Sequence, residues 1–266
     1  MESVLSWLNQ PLLPESGIRL WMAIGAGLVL LAAILVGSIL RRRARRRRKV
    51  PEPVTLEPQK QPVLELANLQ GIGMRTEQQD AFGMSPLDRY EENGLLAVLC
   101  DGMGGMAAGG AIAAETVTGL LGFFPWQDDG QALQWIWQQS RRVYDRFRGQ
   151  GGTTLIAALL RAEQLRFWCV GDSDLFLLRQ GELYALHIPQ EYRYELALHA
   201  LEGDSSLEAA FLDPQAGALT EYIGKAEVTC QHTRIPLRLE KEDTLLLCSD
   251  GVSDTLTRKQ IKEALA

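Results

Sequence analysis

The stretch that most constrains the fold is residues 94–110, which reads GLLAVLCDGMGGMAAGG. Six apolar residues, Leu95 to Cys100, run without polar alternation, which is typical of a strand buried on both faces. The run ends at Asp101, and a carboxylate there is costly unless a cation or strong donors meet it. Gly102 lets the backbone turn sharply and present its own carbonyl. Asp101 and that carbonyl would form an all-oxygen site, which suits a hard divalent ion.

The chain uses this design a second time at residues 244–251, TLLLCSDG. A second apolar run, Leu245 to Cys248, ends in Asp250 and Gly251, so two carboxylates could meet at one edge of a sheet. The alternative is two ordinary exits from strands, because Asp-Gly is a common turn pair. The density of glycine around Asp101 favours the metal site.

Four segments in order carry a family resemblance. They are GIGMRTEQQDAFG at 71–83, DGMGG at 101–105, GGTTLIAALL at 151–160 with CVGDSDLFLLRQGEL at 169–183, and SDGVSDTL at 249–256. Together they resemble the metal-dependent PP2C-type protein serine/threonine phosphatases of bacteria. Any one motif is weak, but four in order are a strong signal.

The resemblance covers residues 63–266 and implies an α+β fold, a sandwich of two antiparallel β-sheets flanked by helices. The local patterns fit such an order of elements. They predict strands at 63–69, 95–100, 153–160, 165–170, 175–179, 183–187, 228–234 and 244–248, and helices at 106–124, 132–147, 191–211 and 258–265.

The resemblance also implies the chemistry, hydrolysis of a phosphoric monoester by water that two Mn²⁺ or Mg²⁺ ions activate. Asp101 would act in catalysis by bridging both ions, and the carbonyl of Gly102 would bind one of them. Asp250 would bind directly, and Asp80 largely through ordered water. Gln79 stands where many relatives carry Glu, so the acidic support of the metal site from outside its direct ligands is weaker here.

Two further residues keep two interpretations each. The resemblance makes Arg75 the catalytic arginine that receives the substrate phosphate through a bidentate fork; its alternative is a surface ion pair with Glu77. Asp172, in GDSD, stands where relatives use an aspartate to help bind a third metal ion, and its alternative is a turn cap. Asp174 replaces the arginine that usually follows in relatives, so an ion pair is in doubt there.

Two departures from the family matter. Where relatives carry Asp-His-Ser after the central hairpins, this chain reads HIPQEYRYELALH at 187–199, so the segment beside the substrate is divergent. Relatives also continue into a last strand with another aspartate ligand, whereas this sequence stops at Ala266. We therefore expect a truncated domain with one weakened ion site. A membrane-tethered pseudophosphatase, acting as a binding or regulatory module, is the alternative function.

The N-terminal part predicts a membrane anchor. Residues 1–17 form a short segment outside the cytoplasm, 18–40 a transmembrane helix, and 41–62 a basic collar with a Pro-rich linker. The uncharged run from Leu20 to Leu40 is long enough to span a bilayer. The sequence RRRARRRRK follows at once and stays on the cytoplasmic side, so we expect a single-pass protein of the inner or plasma membrane with a cytoplasmic domain. The Arg cluster would also contact anionic lipids.

The charge is divided between the two parts. Of 27 basic and 33 acidic residues, nine and two lie in residues 1–49, which leaves 18 and 31 for the rest. So acidic a domain does not favour nucleic acid as its ligand. The expected partners are phosphorylated proteins and a cognate Ser/Thr kinase whose action the protein reverses. The four cysteines show no CxxC pairing and predict buried, reduced thiols.

Overall fold

The computed structural model describes residues 64–103 and 108–266. The predicted segments 1–17, 18–40 and 41–62 lie outside the described residues. Among the helices of the described ranges, none combines the length and the apolar character that crossing a membrane requires. Residues 64–266 form one compact unit.

Nine strands and seven α-helices make up the described part of the chain. In chain order they are β1 (Asp80–Met84), α1 (Tyr90–Asn93), β2 (Leu95–Asp101), α2 (Gly109–Phe123), α3 (Asp129–Phe147), β3 (Leu155–Arg161), β4 (Gln164–Val170), β5 (Asp174–Arg179), β6 (Glu182–Ala185), α4 (Tyr192–Glu202), α5 (Leu207–Leu212), β7 (Gln231–His232), β8 (Leu237–Arg238), β9 (Thr244–Cys248), α6 (Asp250–Ser253) and α7 (Arg258–Leu265), with a short 3₁₀ turn at Leu87–Arg89.

The strands form two antiparallel sheets. The larger has the order β1-β2-β3-β4-β7, and β8 also pairs with β4; the smaller has the order β6-β5-β9. Successive residues of a strand point to opposite faces, so one strand can serve two cores. On β3, Leu155, Ala157 and Leu159 pack with α2 and α3. The alternate residues Ile156 and Ala158 pack with residues of β5 and β9.

The layers therefore run from helices α2 and α3 through the larger sheet to the smaller sheet. On the far face of the smaller sheet, Phe176 and Cys248 pack with Ile261 of α7. This arrangement confirms the predicted sandwich of antiparallel sheets flanked by helices.

Local signals set the ends of several helices. The side chain of Asp128 accepts a hydrogen bond from the N–H of Gln131 and so caps α3. Thr257 and Gln260 form a reciprocal capping box at α7. Gly203 ends α4 with a φ of 102°, a left-handed conformation that glycine adopts readily.

Two predicted strands were wrong in extent. Residues 64–69 form no strand, and Leu66 and Leu69 are exposed. The first strand is instead β1, because it pairs along its whole length with β2. The strand predicted at 228–234 is reduced to the two residues of β7, and β8 was not predicted.

The cysteines are free thiols in the protein interior. Cys100, Cys169 and Cys248 are buried and Cys230 is half-buried. Burial raises the pKa of Cys230 and of Cys248 to about 12, and it also raises the pKa of Cys100 and Cys169.

Candidate metal centre

Two aspartates face each other at one end of the larger sheet. Asp80 begins β1 and Asp101 ends β2, and the antiparallel register makes them direct partners. The next pair of residues continues the contact, because the N–H of Gly102 donates to the carbonyl of Gln79 at 3.1 Å. Directly opposed residues project to the same face of a sheet, so β1 and β2 bring the two carboxylates together.

Gly102 is required here by close approach rather than by an unusual φ. A Cβ at this position would lie 2.4 Å from the carbonyl carbon of Gly109 and 2.7 Å from the carbonyl oxygen of Gln79. A Cβ on Gly109 would in turn lie 2.7 Å from the carbonyl oxygen of Met103. The two glycines thus let the first turn of α2 rest on the end of β2.

The backbone of Asp101 is held by two threonines. The N–H of Thr154 donates to the carbonyl of Asp101 at 2.9 Å, and the N–H of Asp101 donates to Oγ1 of Thr154, also at 2.9 Å. Oγ1 of Thr153 adds a bond to the same carbonyl at 2.8 Å. Both threonines are buried, so the end of β2 has little freedom.

Asp250 reaches this place from the other sheet. It is the first residue of α6, directly after β9 and Ser249. The hydroxyl of Ser249 donates to Oδ2 of Asp80 at 3.2 Å, which ties the end of β9 to the start of β1. The predicted residues Asp80, Asp101 and Asp250 therefore meet, as the two Asp-Gly exits suggested.

The carboxylates disturb one another's ionisation. Burial raises the pKa of Asp101 to about 8, and the charges of Asp80 and Asp250 add to the rise. Burial likewise raises the pKa of Asp172 to about 7, with Asp250 as the next cause. These four aspartates form an acidic cluster.

The ion pairs of the described residues do not neutralise that cluster, because none of them includes Asp80, Asp101, Asp172 or Asp250. Several half-buried carboxylates and a backbone carbonyl form an all-oxygen donor set. The donor atoms of this set are therefore of the kind that a hard divalent cation prefers.

Arg75 precedes β1 and lies on none of the strands or helices that carry the aspartate cluster. It is exposed, and its N–H closes a turn on the carbonyl of Ile72 at 3.1 Å. Within the described ranges, the ion pairs do not include the alternative pair with Glu77. Its guanidinium is thus open to solvent, five residues before Asp80.

Two acidic residues near Asp172 were not predicted. Glu191 and Asp254 both contribute to the raised pKa of Asp172. Burial also raises the pKa of Glu191 itself, although its ion pair with Arg193, at 2.5 Å, opposes the rise. Glu191 lies in the segment that departs from the family pattern, and that departure was the only signal in the sequence.

A second group of potential metal ligands lies on the surface. His199, Glu202 and Asp204, at the end of α4, place ligand atoms within 4.8 Å of one another. All three are exposed, and exposed acidic groups are common on proteins without bound ions. We assign no site to them.

Known proteins share this sequence pattern and this fold. A family model for Protein phosphatase 2C matches residues 72–266. A putative protein phosphatase of Mycoplasma genitalium is 29% identical over 219 residues, which cover 72% of this chain and 78% of the relative. The serine/threonine protein phosphatase PstP of Mycobacterium tuberculosis is 30% identical over 179 residues, 64% of this chain and 34% of that protein.

Solved structures agree with the sequence comparison. The serine/threonine phosphatase of S. agalactiae superposes with a TM-score of 0.61 at 28% identity, covering 72% of this chain and 81% of that one. Serine/threonine phosphatase Stp1 of Staphylococcus aureus gives a TM-score of 0.58 at 26% identity, with coverage of 72% and 77%.

Proposed function

The chain belongs to the protein phosphatase 2C family, and on that premise we propose that it is a metal-dependent protein serine/threonine phosphatase that reverses a Ser/Thr kinase. Its substrates are phosphoserine and phosphothreonine residues of cytoplasmic proteins. The observation that supports the metal dependence is the convergence of Asp80, Asp101 and Asp250 without a neutralising arginine or lysine among the described ion pairs.

The residues divide the work as follows. Asp80, Asp101, Asp250 and the carbonyl of Gly102 would hold two Mn²⁺ or Mg²⁺ ions, and Asp172 would help to hold a third. When bound, such ions supply positive charge that neutralises the phosphoryl oxygens and activates water for attack.

The chain itself supplies position. Thr153 and Thr154 hold the backbone of Asp101, so its carboxylate need not reorganise during reaction. Arg75 is exposed and offers two parallel N–H donors to the oxygens of the incoming phosphate. This contact orients the phosphorus atom toward the carboxylate cluster.

The test uses the purified full chain and a phosphothreonine peptide. We expect phosphate release with Mn²⁺ or Mg²⁺, none in EDTA, and loss of release in Asp101→Asn. Asp204→Asn, which alters an exposed carboxylate, serves as the matched control. Release that survives both EDTA and Asp101→Asn contradicts the proposal, whereas phosphoprotein binding without release favours the pseudophosphatase.

We also propose that the protein is anchored in the cell membrane. The support is the uncharged run of residues 20–40 with RRRARRRRK directly after it. The full chain should sediment with membranes, and a reporter fused after Ala266 should report the cytoplasm. Recovery of the chain in the soluble fraction, or a reporter signal from the other side, contradicts this topology.

A further inference from the structure

The turn that carries Asp172 is held by one glutamine. The N–H of Gly171 donates to Oε1 of Gln190 at 2.8 Å, and the N–H of Gln190 donates back to the carbonyl of Gly171 at 3.0 Å. Both backbone polar groups of Gly171 are thus bonded to the same residue. Gly171 has a φ of 98°, and a Cβ there would lie 2.8 Å from Cγ2 of Thr154, so the turn packs closely against Thr154.

The other polar groups of Gln190 are bonded elsewhere. Its Nε2 donates to the carbonyl of Thr229 at 3.0 Å, and its own carbonyl accepts from the N–H of Thr220 at 2.9 Å. All four polar groups of this residue therefore have partners. Gln190, which lies just before α4, thus joins the Asp172 turn to the stretch between α5 and β7.

The remaining part of the turn is fixed as well. The hydroxyl of Ser173 pairs with Oγ1 of Thr154 at 2.7 Å, and Nε2 of His187 contacts the carbonyl of Ser173. Ser173 and His187 are buried. Asp172 thus lies between two residues whose backbone is held, which positions its half-buried carboxyl group.

Gln190 also precedes Glu191, one of the two acidic residues near Asp172 that were not predicted. Because the two residues are consecutive, bonds that fix Gln190 against Gly171 also fix Glu191 near Asp172. The paired bonds between Gln190 and Gly171 therefore hold the segment that carries Glu191 against the turn that carries Asp172.

We propose that Gln190 is a positioning residue for divalent-cation binding at Asp172, acting through its paired hydrogen bonds to Gly171. The proposal rests on the proposed function, since it concerns the third ion of that site. Coupling between two sites is reciprocal, so a cation at Asp172 also favours the ordered state of residues 187–191, called here the lead-in segment. Mutation of residues that hold metal ligands in place from outside the first coordination sphere commonly lowers metal affinity about 10- to 100-fold.

The chain provides a matched control in Gln231. Its Oε1 accepts from the N–H of Ile188 at 3.1 Å and its Nε2 donates to the carbonyl of Ile188 at 2.7 Å. Gln231 thus holds the same lead-in segment, with both atoms of its side-chain amide, whereas Gln190 holds Gly171 with its side-chain oxygen and its backbone N–H. The hydrogen bonds of its side chain go to Ile188 and not to the Asp172 turn.

The experiment is a calorimetric titration of the metal-free full chain with Mn²⁺. We expect Gln190→Leu to weaken the weakest Mn²⁺ step about tenfold, and Gln231→Leu to change it less than about twofold. In an Asp172→Asn background, Gln190→Leu should add no further loss. Phosphate release by Gln190→Leu should recover at saturating Mn²⁺, as expected of a variant whose metal binding is weakened and whose metal ligands are intact.

Three results overturn the proposal: no change in Gln190→Leu, an equal change in Gln231→Leu, or a full additional loss in the Asp172→Asn background. If Gln190→Leu does not fold, Gln190→Asn keeps a polar group that is too short to reach Gly171, and the same tenfold loss is expected.

The titration needs no turnover, so the two proposals fail separately. Mn²⁺ binding that depends on Gln190 without phosphate release removes the phosphatase function and leaves the positioning role. Normal metal-dependent phosphate release, with unchanged Mn²⁺ binding in Gln190→Leu, removes the positioning role and leaves the phosphatase function. A wild-type chain that binds no Mn²⁺ contradicts both.

Discussion

Gly102 and Gly109 are in direct backbone contact, so that a Cβ on Gly102 would lie 2.4 Å from the carbonyl carbon and 2.5 Å from the carbonyl oxygen of Gly109. Neither backbone atom can rotate away as a flexible side chain could. The contact fixes the start of α2 against the end of β2. The position of Asp101 therefore depends on a neighbour that has no side chain.

Gly102→Ala should destabilise the protein by about 3 kcal/mol and reduce phosphate release, because the end of β2 must move away from α2. Gly122→Ala, within α2, is the control. A Cβ there meets nothing within 4 Å, so alanine should stabilise the helix by about 0.5 kcal/mol. Urea unfolding of both variants measures the difference, and equal effects would refute the close-contact explanation.

The metal-free protein should lose stability as the pH rises from about 4 to about 8. The pKa of Asp101 is raised from 3.8 to about 8 and that of Asp172 to about 7 in the folded chain. A raised pKa means that the folded state binds the proton more tightly. The stabilisation that results is fully present below the ordinary pKa of the carboxyl group. It is lost as the pH rises through the pKa of the folded state.

Urea unfolding in EDTA across this pH range is the measurement. Asp101→Asn should flatten the curve and make the metal-free protein more stable at pH 8, and Mn²⁺ should restore the stability of the wild type there. The exposed Asp88→Asn is the control and should follow the wild-type curve. An Asp101→Asn curve as steep as that of the wild type would show that the carboxylates of the cluster do not repel one another.

Arg75→Ala should raise the KM for a phosphothreonine peptide about 10- to 100-fold, the value of hydrogen bonds to a charged group. The free energy of unfolding should stay the same, because Arg75 is exposed and its one described hydrogen bond uses its backbone. Arg89→Ala removes another exposed guanidinium and should leave the KM unchanged. Steady-state kinetics of both variants decide whether Arg75 binds substrate or only adds surface charge.

Thr154→Val should cost about 2 kcal/mol of folding free energy, because the N–H of Asp101 and the hydroxyl of Ser173 lose their partner inside the protein. Thr255→Val is the control, since its hydroxyl bonds to the carbonyl of Gly251 on the surface. Unfolding by urea compares the two. A Thr154→Val protein as stable as Thr255→Val would mean that water satisfies the freed groups.

The sequence predicts well where a strand is apolar by itself. The run from Leu95 to Cys100 and the strand at 244–248 lie where the pattern placed them. The strand β1 was missed because DAFGM contains an acid and a glycine and shows no alternation. It is a strand because it pairs with β2. The apolar residues of 64–69 find no such partner in the described structure and remain irregular.

The candidate site was predictable as far as motifs record it. Asp101 and Asp250 follow from short local patterns and Asp80 from the family resemblance, and the structure brings the three together. Gln190 could not be found in this way, because its role depends on hydrogen bonds to residues distant in the chain, Gly171 and Thr229. Pairs of this kind are created by tertiary packing and leave no pattern in the sequence.

The protonated, enclosed thiols have a practical consequence for spectroscopy. Maleimide reagents attack thiolates at accessible positions, and Cys100, Cys169 and Cys248 are buried while Cys230 has a pKa raised to about 12. A single cysteine introduced at the exposed Leu201 on α4 would then take up a fluorophore selectively, with all four native cysteines left in place. Movement of this helix could be followed in real time in the otherwise unaltered protein.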